Sequence, residues 1–301
     1  MSELTDLQKK FADFSGDIRY NEPMSKHTSF RIGGPVEVMI FPKSREELSQ
    51  VLRMCRCVDV KPAILGAGTN VLSPDEGMKG VVICLKDALE GMELLNDTHV
   101  RIMAGVTMTR GAVFAANHGL SGLEFAHGIP GTVGGGIYMN AGAYGGEIKD
   151  VATSVEVMGR DGNIRHVSGE EMGFSYRHSC LEDSEDIVIS ATFALTKDDP
   201  EVIKTKMKEL QAKRSASQPL DLPSAGSAFK RPVGGYAAAL IDQAGLKGFQ
   251  VGGAAISTKH AGFAVNVADA TAEDVKNLLG QVSAIVYEKS GIRLEPEVRI
   301  W

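Results

Sequence analysis

The chain has 301 residues, 34 of them glycine and 11 proline, with 43% hydrophobic and 23% charged residues. That glycine and proline share is too low for a disordered or low-complexity chain, no Gly-X-Y period suggests collagen, and the length suits a globular protein of two or three domains. A formal charge of −6 and a pI near 5.7 give no basic footprint for nucleic acid, and no apolar run is long enough to span a membrane.

Residues 1–15 read as a polar helix or tail, without the apolar stretch of a secretory leader. Alternation over Val36–Pro42 predicts a strand. Ser44-Arg-Glu-Glu47 has the spacing of a capping box, and Leu48, Val51, Leu52 and Cys55 then fall on one helical face. Ala63–Leu65 is a strand that runs into the loop Gly66-Ala-Gly-Thr-Asn70, and Val81–Leu85 is a continuous apolar strand. Met92–Ala104 reads as two strands around Asn96-Asp97, followed by a helix from Met108 to His118 that Gly119 stops. The glycines are densest next, with ten between Gly119 and Gly146.

Val155–Met158, Asp161-Gly162 and Ile164–Val167 form a hairpin signature, and Ile187–Leu195 is a further strand. Composition shifts near Lys197–Pro200, which places a domain boundary near residue 198. A charged helix from Pro200 to Arg214 follows, with Asp199 as its cap. A late helix starts at Thr271 with Val275, Leu278, Leu279, Val282, Ile285 and Val286 on one face, and Val298–Trp301 closes the chain as a strand. No internal repeat is visible. Cys55 and Cys57 stand two apart on a helix and do not share a face. With Cys84 and Cys180 isolated, no metal site is expected, and the cysteines read as free thiols of a reducing cytoplasm.

Two glycine loops could carry chemistry. Gly66–Asn70 follows a strand, yet the sixth position of a Rossmann fingerprint is Val71, and no P-loop occurs. A tight turn and a phosphate loop both remain open there. Glycines at 128, 131, 134, 135 and 136 fit either close approach of backbone to a flat or phosphorylated ligand or a tightly packed corner. Ser227-Ala-Phe-Lys230 matches the S-x-x-K of acyl-serine enzymes, but the S-D-N and K-T-G partners are missing. Arg177 and Glu297, taken singly, read as solvated charges.

Together these segments resemble the UDP-N-acetylenolpyruvoylglucosamine reductase family over about Asn21 to Trp301. The resemblance is carried by Thr28-Ser-Phe-Arg-Ile-Gly-Gly34, Gly66–Asn70, Gly122–Ala126 leading into Gly128–Gly135, Met139-Asn-Ala-Gly-Ala-Tyr-Gly145 and Phe174-Ser-Tyr-Arg177. It continues through Pro223–Lys230, Gly245-Leu-Lys-Gly248, Lys259-His-Ala-Gly-Phe263 and Leu294-Glu-Pro-Glu-Val298. The length and the Pro-Ser-Ala-Gly-Ser loop are similar to the shorter subtype, which lacks an inserted tyrosine-bearing loop.

The resemblance implies an α+β fold. Residues 1–198 would form a two-lobed FAD-binding domain of the vanillyl-alcohol-oxidase type, split near 87, and 199–301 a smaller α+β substrate domain. It implies non-covalent FAD held by Arg31, Gly66, Ala67, Gly68, Thr69, Asn70, Val71, Gly128, Pro130, Gly131, Thr132, Gly134, Gly135, Asn140, Ala141 and Gly142. NADPH would be the co-substrate, and hydride would pass through FAD to the methylene carbon of UDP-N-acetylglucosamine enolpyruvate, giving UDP-N-acetylmuramate for peptidoglycan. Arg177 would take the carboxylate, since a guanidinium fork binds one well. Ser227 would protonate the adjacent carbon, and Glu297, or Glu295 if the register differs, would hydrogen-bond the same region in a protonated or charge-compensated form.

Tyr176, Lys230, Arg231 and Lys247 are the expected substrate contacts. The last three would replace the lysines that relatives often carry where this chain has Ser217 and Ala239. A cytoplasmic monomer is expected. The alternatives are another flavin oxidase on the same fold or a non-catalytic nucleotide-sugar binder.

Overall fold

A computed structural model describes residues 4–301; residues 1–3 of the expected polar tail lie outside it. Helix α1 (Asp6–Lys10) is capped by Thr5, whose hydroxyl and main-chain amide exchange hydrogen bonds with Gln8. Helix α2 (Arg45–Cys57) starts at Ser44, whose Oγ accepts from the Glu47 amide at 3.2 Å. The reciprocal half of the expected capping box is displaced. The Glu47 carboxylate accepts from the Lys43 amide at 2.8 Å. Leu48, Val51, Leu52 and Cys55 are buried as their spacing requires, while Cys57 is exposed.

A four-stranded sheet runs in the order Asp17–Pro23, Pro35–Phe41, Met78–Cys84, Ala63–Leu65, the last pair parallel. A five-stranded antiparallel sheet runs Ile164–Ser168, Ala152–Met158, Ile187–Ala194, His99–Met103, Met92–Leu94. Helices α3 (Met108–Asn117), α4 (Val133–Tyr138) and α5 (Leu181–Ser184) are interleaved with it in the chain. Helix α6 (Pro200–Ser217) extends three residues past the expected end, and Asp199 Oδ1 accepts from the Glu201 amide at 2.8 Å. A second antiparallel sheet has the order Ser224–Ser227, Phe263–Asn266, Ala254–Ile256, Gln250–Val251. Helix α7 (Ala237–Gln243) follows the strand Ser224–Ser227 and precedes the other three in the chain; its seven residues are too few for a period to show in the sequence. Helix α8 (Ala272–Ser290) has a true capping box between Thr271 and Asp274 and ends on Gly291, whose φ of 71° is left-handed.

These elements form two compact units. Among the described residues, the first comprises 4–20, 38–67 and 80–213, and the second 21–37, 68–79 and 214–301. The division differs from a single boundary near residue 198, because two early segments pack with the C-terminal part. In the first unit, the apolar face of α2 packs with Val38, Ile40, Val81 and Ile83, and a larger core joins α3 and α4 to the five-stranded sheet through Ile102, Ala112, Val133, Val155 and Phe193. In the second, Val275, Leu278, Leu279, Val282 and Val286 of α8 pack with Ala254, Ile256, Phe30, Ile32 and Leu72. Burying each large side chain of this kind contributes about 1.5–3 kcal/mol, so the early segment 28–32 is held by the same apolar core as the late helix. Among the described residues no helix is long and apolar enough to cross a membrane, and no cluster of three His, Cys, Asp or Glu could hold a metal ion.

Candidate active site

Within the first unit the two glycine loops meet at Thr132. A Cβ on Gly66 would lie 2.7 Å from Thr132 Oγ1, and one on Gly135 would find only that same oxygen, at 3.6 Å. Thr132 is buried, and its hydroxyl caps α4 by accepting from the Gly135 amide at 3.3 Å. The start of α4 is fastened to the segment just after the strand His99–Met103 by Val133 N to Val106 O (2.8 Å) and Gly134 N to Ala104 O (2.9 Å). The hydroxyl closes off Gly66, whereas the space beside Gly135 is otherwise open, a gap that a Cβ would fill. That gap fits a flavin nucleotide approaching the backbone. Not every glycine has this cause. Gly134 and Gly136 would place a Cβ 3.0 Å from Ala104 Cβ and 2.7 Å from Met108 Sδ, so close packing accounts for both.

Arg177 also lies in the first unit, at the tip of a tight turn. Ser175 and His178 exchange main-chain hydrogen bonds of 3.1 and 3.2 Å, and Arg177 between them has a left-handed φ of 56°. Its guanidinium stands 4.9 Å from the centre of the exposed Tyr176 ring, and Nη2 is 3.4 Å from the Gly142 carbonyl oxygen. Asn140 is fully buried and bonds Glu147 and Ser175. The Glu147 carboxyl is held below its usual range, first by Lys149 and with smaller contributions from Asn140 and the Arg177 charge. Ala141 and Gly142 follow Asn140, and Gly142 pairs with Glu147 in a short hairpin.

Ser227 and Glu297 lie on adjoining segments of the second unit. Gly226 has a left-handed φ of 77°, and the strand carries a register irregularity between Ser224 and Ser227, beyond which Ser227 is exposed while Ala225 and Ala228 are buried. The Glu297 amide donates to the carbonyl of Ala228, the residue after Ser227, at 2.9 Å. Glu295 lies two residues earlier, its carbonyl accepting from the Lys230 amide at 2.9 Å and its carboxylate 3.7 Å from Lys230 Nζ. The antiparallel Phe229–Pro296 bridge therefore sets Glu297 opposite Ala228, one residue from Ser227, and Glu295 opposite Lys230.

The remaining candidates of the second unit are anchored locally. Gly68 is fixed by packing, since a Cβ there would strike the His27 carbonyl at 2.0 Å. Asn70 donates to the Glu297 carbonyl at 3.3 Å, and Val71 pairs in parallel with Arg299. Arg31 is exposed with a φ of 57°, on a turn closed by Thr28 Oγ1 and the Ile32 carbonyl at 2.8 Å. Arg231 stacks 4.6 Å from the Tyr236 ring centre, and Lys247 pairs with Asp242 at 2.8 Å. Burial holds the His260 imidazole below its ordinary range and the Lys247 charge adds to this. His260 Nδ1 accepts from the Gly262 amide at 3.0 Å, which suits the neutral ring.

One anchoring residue escapes a sequence reading. Ser29 Oγ donates to the Ser224 carbonyl at 2.5 Å and also lies 3.3 Å from the Gly68 carbonyl, so it ties the glycine loop to the strand that bears Ser227. A serine whose partner is 195 positions away leaves no periodic signal. Only its place in the Thr28–Gly34 motif marked it.

The C-terminal domain model of UDP-N-acetylenolpyruvoylglucosamine reductase matches residues 218–301, and an FAD binding domain model matches residues 36–168. The reductase of Caldanaerobacter subterraneus subsp. tengcongensis is 48% identical over 95% of this chain and 94% of its own length. The chain belongs to the UDP-N-acetylenolpyruvoylglucosamine reductase family. The reductase of Syntrophomonas wolfei is 45% identical over 94% of both chains. The crystal structure of the Thermus caldophilus reductase superposes with a TM-score of 0.80 at 36% identity, covering 95% of this chain and 98% of that one. The mixed α and β architecture, an FAD-binding domain followed by the reductase's C-terminal domain, is thus the one the motifs implied.

Proposed function

We propose that this chain uses NADPH to reduce UDP-N-acetylglucosamine enolpyruvate to UDP-N-acetylmuramate for peptidoglycan synthesis, with Arg177, Ser227 and Glu297 as its catalytic residues. Bound FAD supplies the two-electron relay between NADPH and the methylene carbon of the enolpyruvyl ether. Gly66, Ala67, Gly128, Pro130, Gly131, Thr132 and Gly135 of the first unit, and Arg31 and Gly68–Val71 of the second, are the residues that would hold it. Arg177 holds the substrate carboxylate, where negative charge collects as the methylene carbon is reduced. Ser227 donates its hydroxyl proton to the neighbouring carbon, and Glu297 hydrogen-bonds the same region.

The observation that carries this reading is the strand register that sets Glu297, rather than Glu295, opposite Ala228, the residue next to the exposed Ser227. An oxidase on the same fold has no use for a proton donor and its partner at that position. Tyr176, Lys230, Arg231 and Lys247 contact the nucleotide sugar. Residues 1–198 form the FAD-binding domain, which also supplies Tyr176 and Arg177, and 199–301 the substrate domain, in a cytoplasmic monomer. Purified protein supplied with FAD should show a flavin spectrum and oxidise NADPH only when the enolpyruvyl substrate is added. A protein that stays colourless with FAD, or that oxidises NADPH equally without the substrate, overturns the reading.

A further inference from the structure

Asn140 does more than follow α4. It is fully buried with a left-handed φ of 42°, a conformation that asparagine tolerates better than most residues. Both N–H groups and the carbonyl of its side chain are engaged inside the first unit. Nδ2 donates to Glu147 Oε2 at 3.0 Å and to the Ser175 carbonyl at 2.9 Å, while Oδ1 accepts from the Lys149 amide at 3.0 Å. Only an amide can donate twice and accept once in that geometry. Ser175 opens the turn that presents Arg177. Just beyond the turn, the buried Ser179 donates to the Tyr138 carbonyl, at the last residue of α4, at 2.7 Å. The arginine turn is therefore fastened on both sides to the C-terminal end of α4, the helix whose first turn contains Gly135. The Glu147 carboxylate that Asn140 orients also belongs to the hairpin whose Gly142 carbonyl receives Arg177 Nη2.

We infer that Asn140 and Ser179 are positioning residues, which fix the Arg177 turn to α4 so that the guanidinium is held ready for a carboxylate. The inference rests on the proposal that Arg177 binds the substrate carboxylate. It also assigns the Asn140 side chain to the protein's own framework rather than to direct cofactor contact.

The test compares two ligands that differ in that carboxylate: UDP-N-acetylglucosamine enolpyruvate, and UDP-N-acetylglucosamine, which lacks it. Dissociation constants are measured on FAD-loaded enzyme by calorimetry for wild type, Asn140→Asp, Ser179→Ala, Arg177→Met and the Asn140→Asp/Arg177→Met double variant. Asn140→Asp should weaken the enolpyruvyl ligand about tenfold and leave UDP-N-acetylglucosamine unchanged, and its effect should vanish in the Arg177→Met background. Ser179→Ala should show the same discrimination at about threefold, and it decides the matter alone if Asn140→Asp does not fold. Equal weakening of both ligands, additive losses, or no change while Arg177→Met still discriminates would overturn the inference. Failure of Arg177→Met itself to discriminate would instead remove the reading of Arg177 on which it stands.

Discussion

The side-chain amide of Asn70 donates to the main-chain carbonyl of Glu297 at 3.3 Å, and the Asn70 carbonyl accepts from the Arg299 amide at 3.0 Å. The residue that ends the first glycine loop thereby sets the height of the strand that presents the proposed catalytic glutamate. Asn70→Asp keeps the main-chain pairing but turns a carboxylate toward a carbonyl. Turnover should fall about tenfold or more, as small misplacements of a reacting group do, with thermal stability little changed. Steady-state kinetics beside a melting curve checks this. Unchanged turnover would mean that Asn70 does not position Glu297.

Arg45, at the start of α2, forks onto the buried Glu156 of the central sheet at 2.8 and 2.7 Å, and Ser190 Oγ adds a third bond at 2.9 Å. Removing the arginine strands a carboxylate that is 7% exposed. Arg45→Ala should cost about 3 kcal/mol, whereas Arg45→Met with Glu156→Leu should be near neutral. Urea denaturation midpoints of the two variants decide it, and an equal loss in both would show that packing, not the charge, matters there.

Acid stability should depend on Glu124. Burial pushes its carboxyl up, but the Ser121 hydroxyl, main-chain amides including that of Gly122, and the Lys206 charge together hold it below the ordinary value of 4.5. A carboxyl depressed by folding contributes stability in full above its unfolded value, and this is lost as pH falls through the lower folded value. Glu124→Gln should therefore flatten the decline in stability below about pH 4.5 while lowering stability at neutral pH. Parallel pH profiles for wild type and variant would contradict this.

How legible the molecule was in its sequence depended on the range of each interaction. The α2 and α8 faces could be read because a helical period repeats locally, and the Asp161-Gly162 hairpin because its turn residues are adjacent. The joining of residues 21–37 and 68–79 to the C-terminal unit was not legible, since Phe30, Ile32 and Leu72 meet α8 only in three dimensions. At the site, composition located the glycine loops, but only the fold separates Gly135, which is open apart from the Thr132 hydroxyl, from Gly66, Gly134 and Gly136, which are small because Thr132, Ala104 and Met108 press on them. Glu295 and Glu297 are equivalent by spacing alone. Their difference comes from a strand register set by partners some seventy positions away.

The central claim is that Ser227 is a proton donor and not a turn residue. Stopped-flow absorbance on FAD-loaded Ser227→Ala separates the two half-reactions. Reduction by NADPH should remain near the wild-type rate, while reoxidation by UDP-N-acetylglucosamine enolpyruvate should slow by about 100-fold or more, as loss of a positioned general acid requires. An equal loss in both half-reactions, or normal reoxidation, would contradict the account.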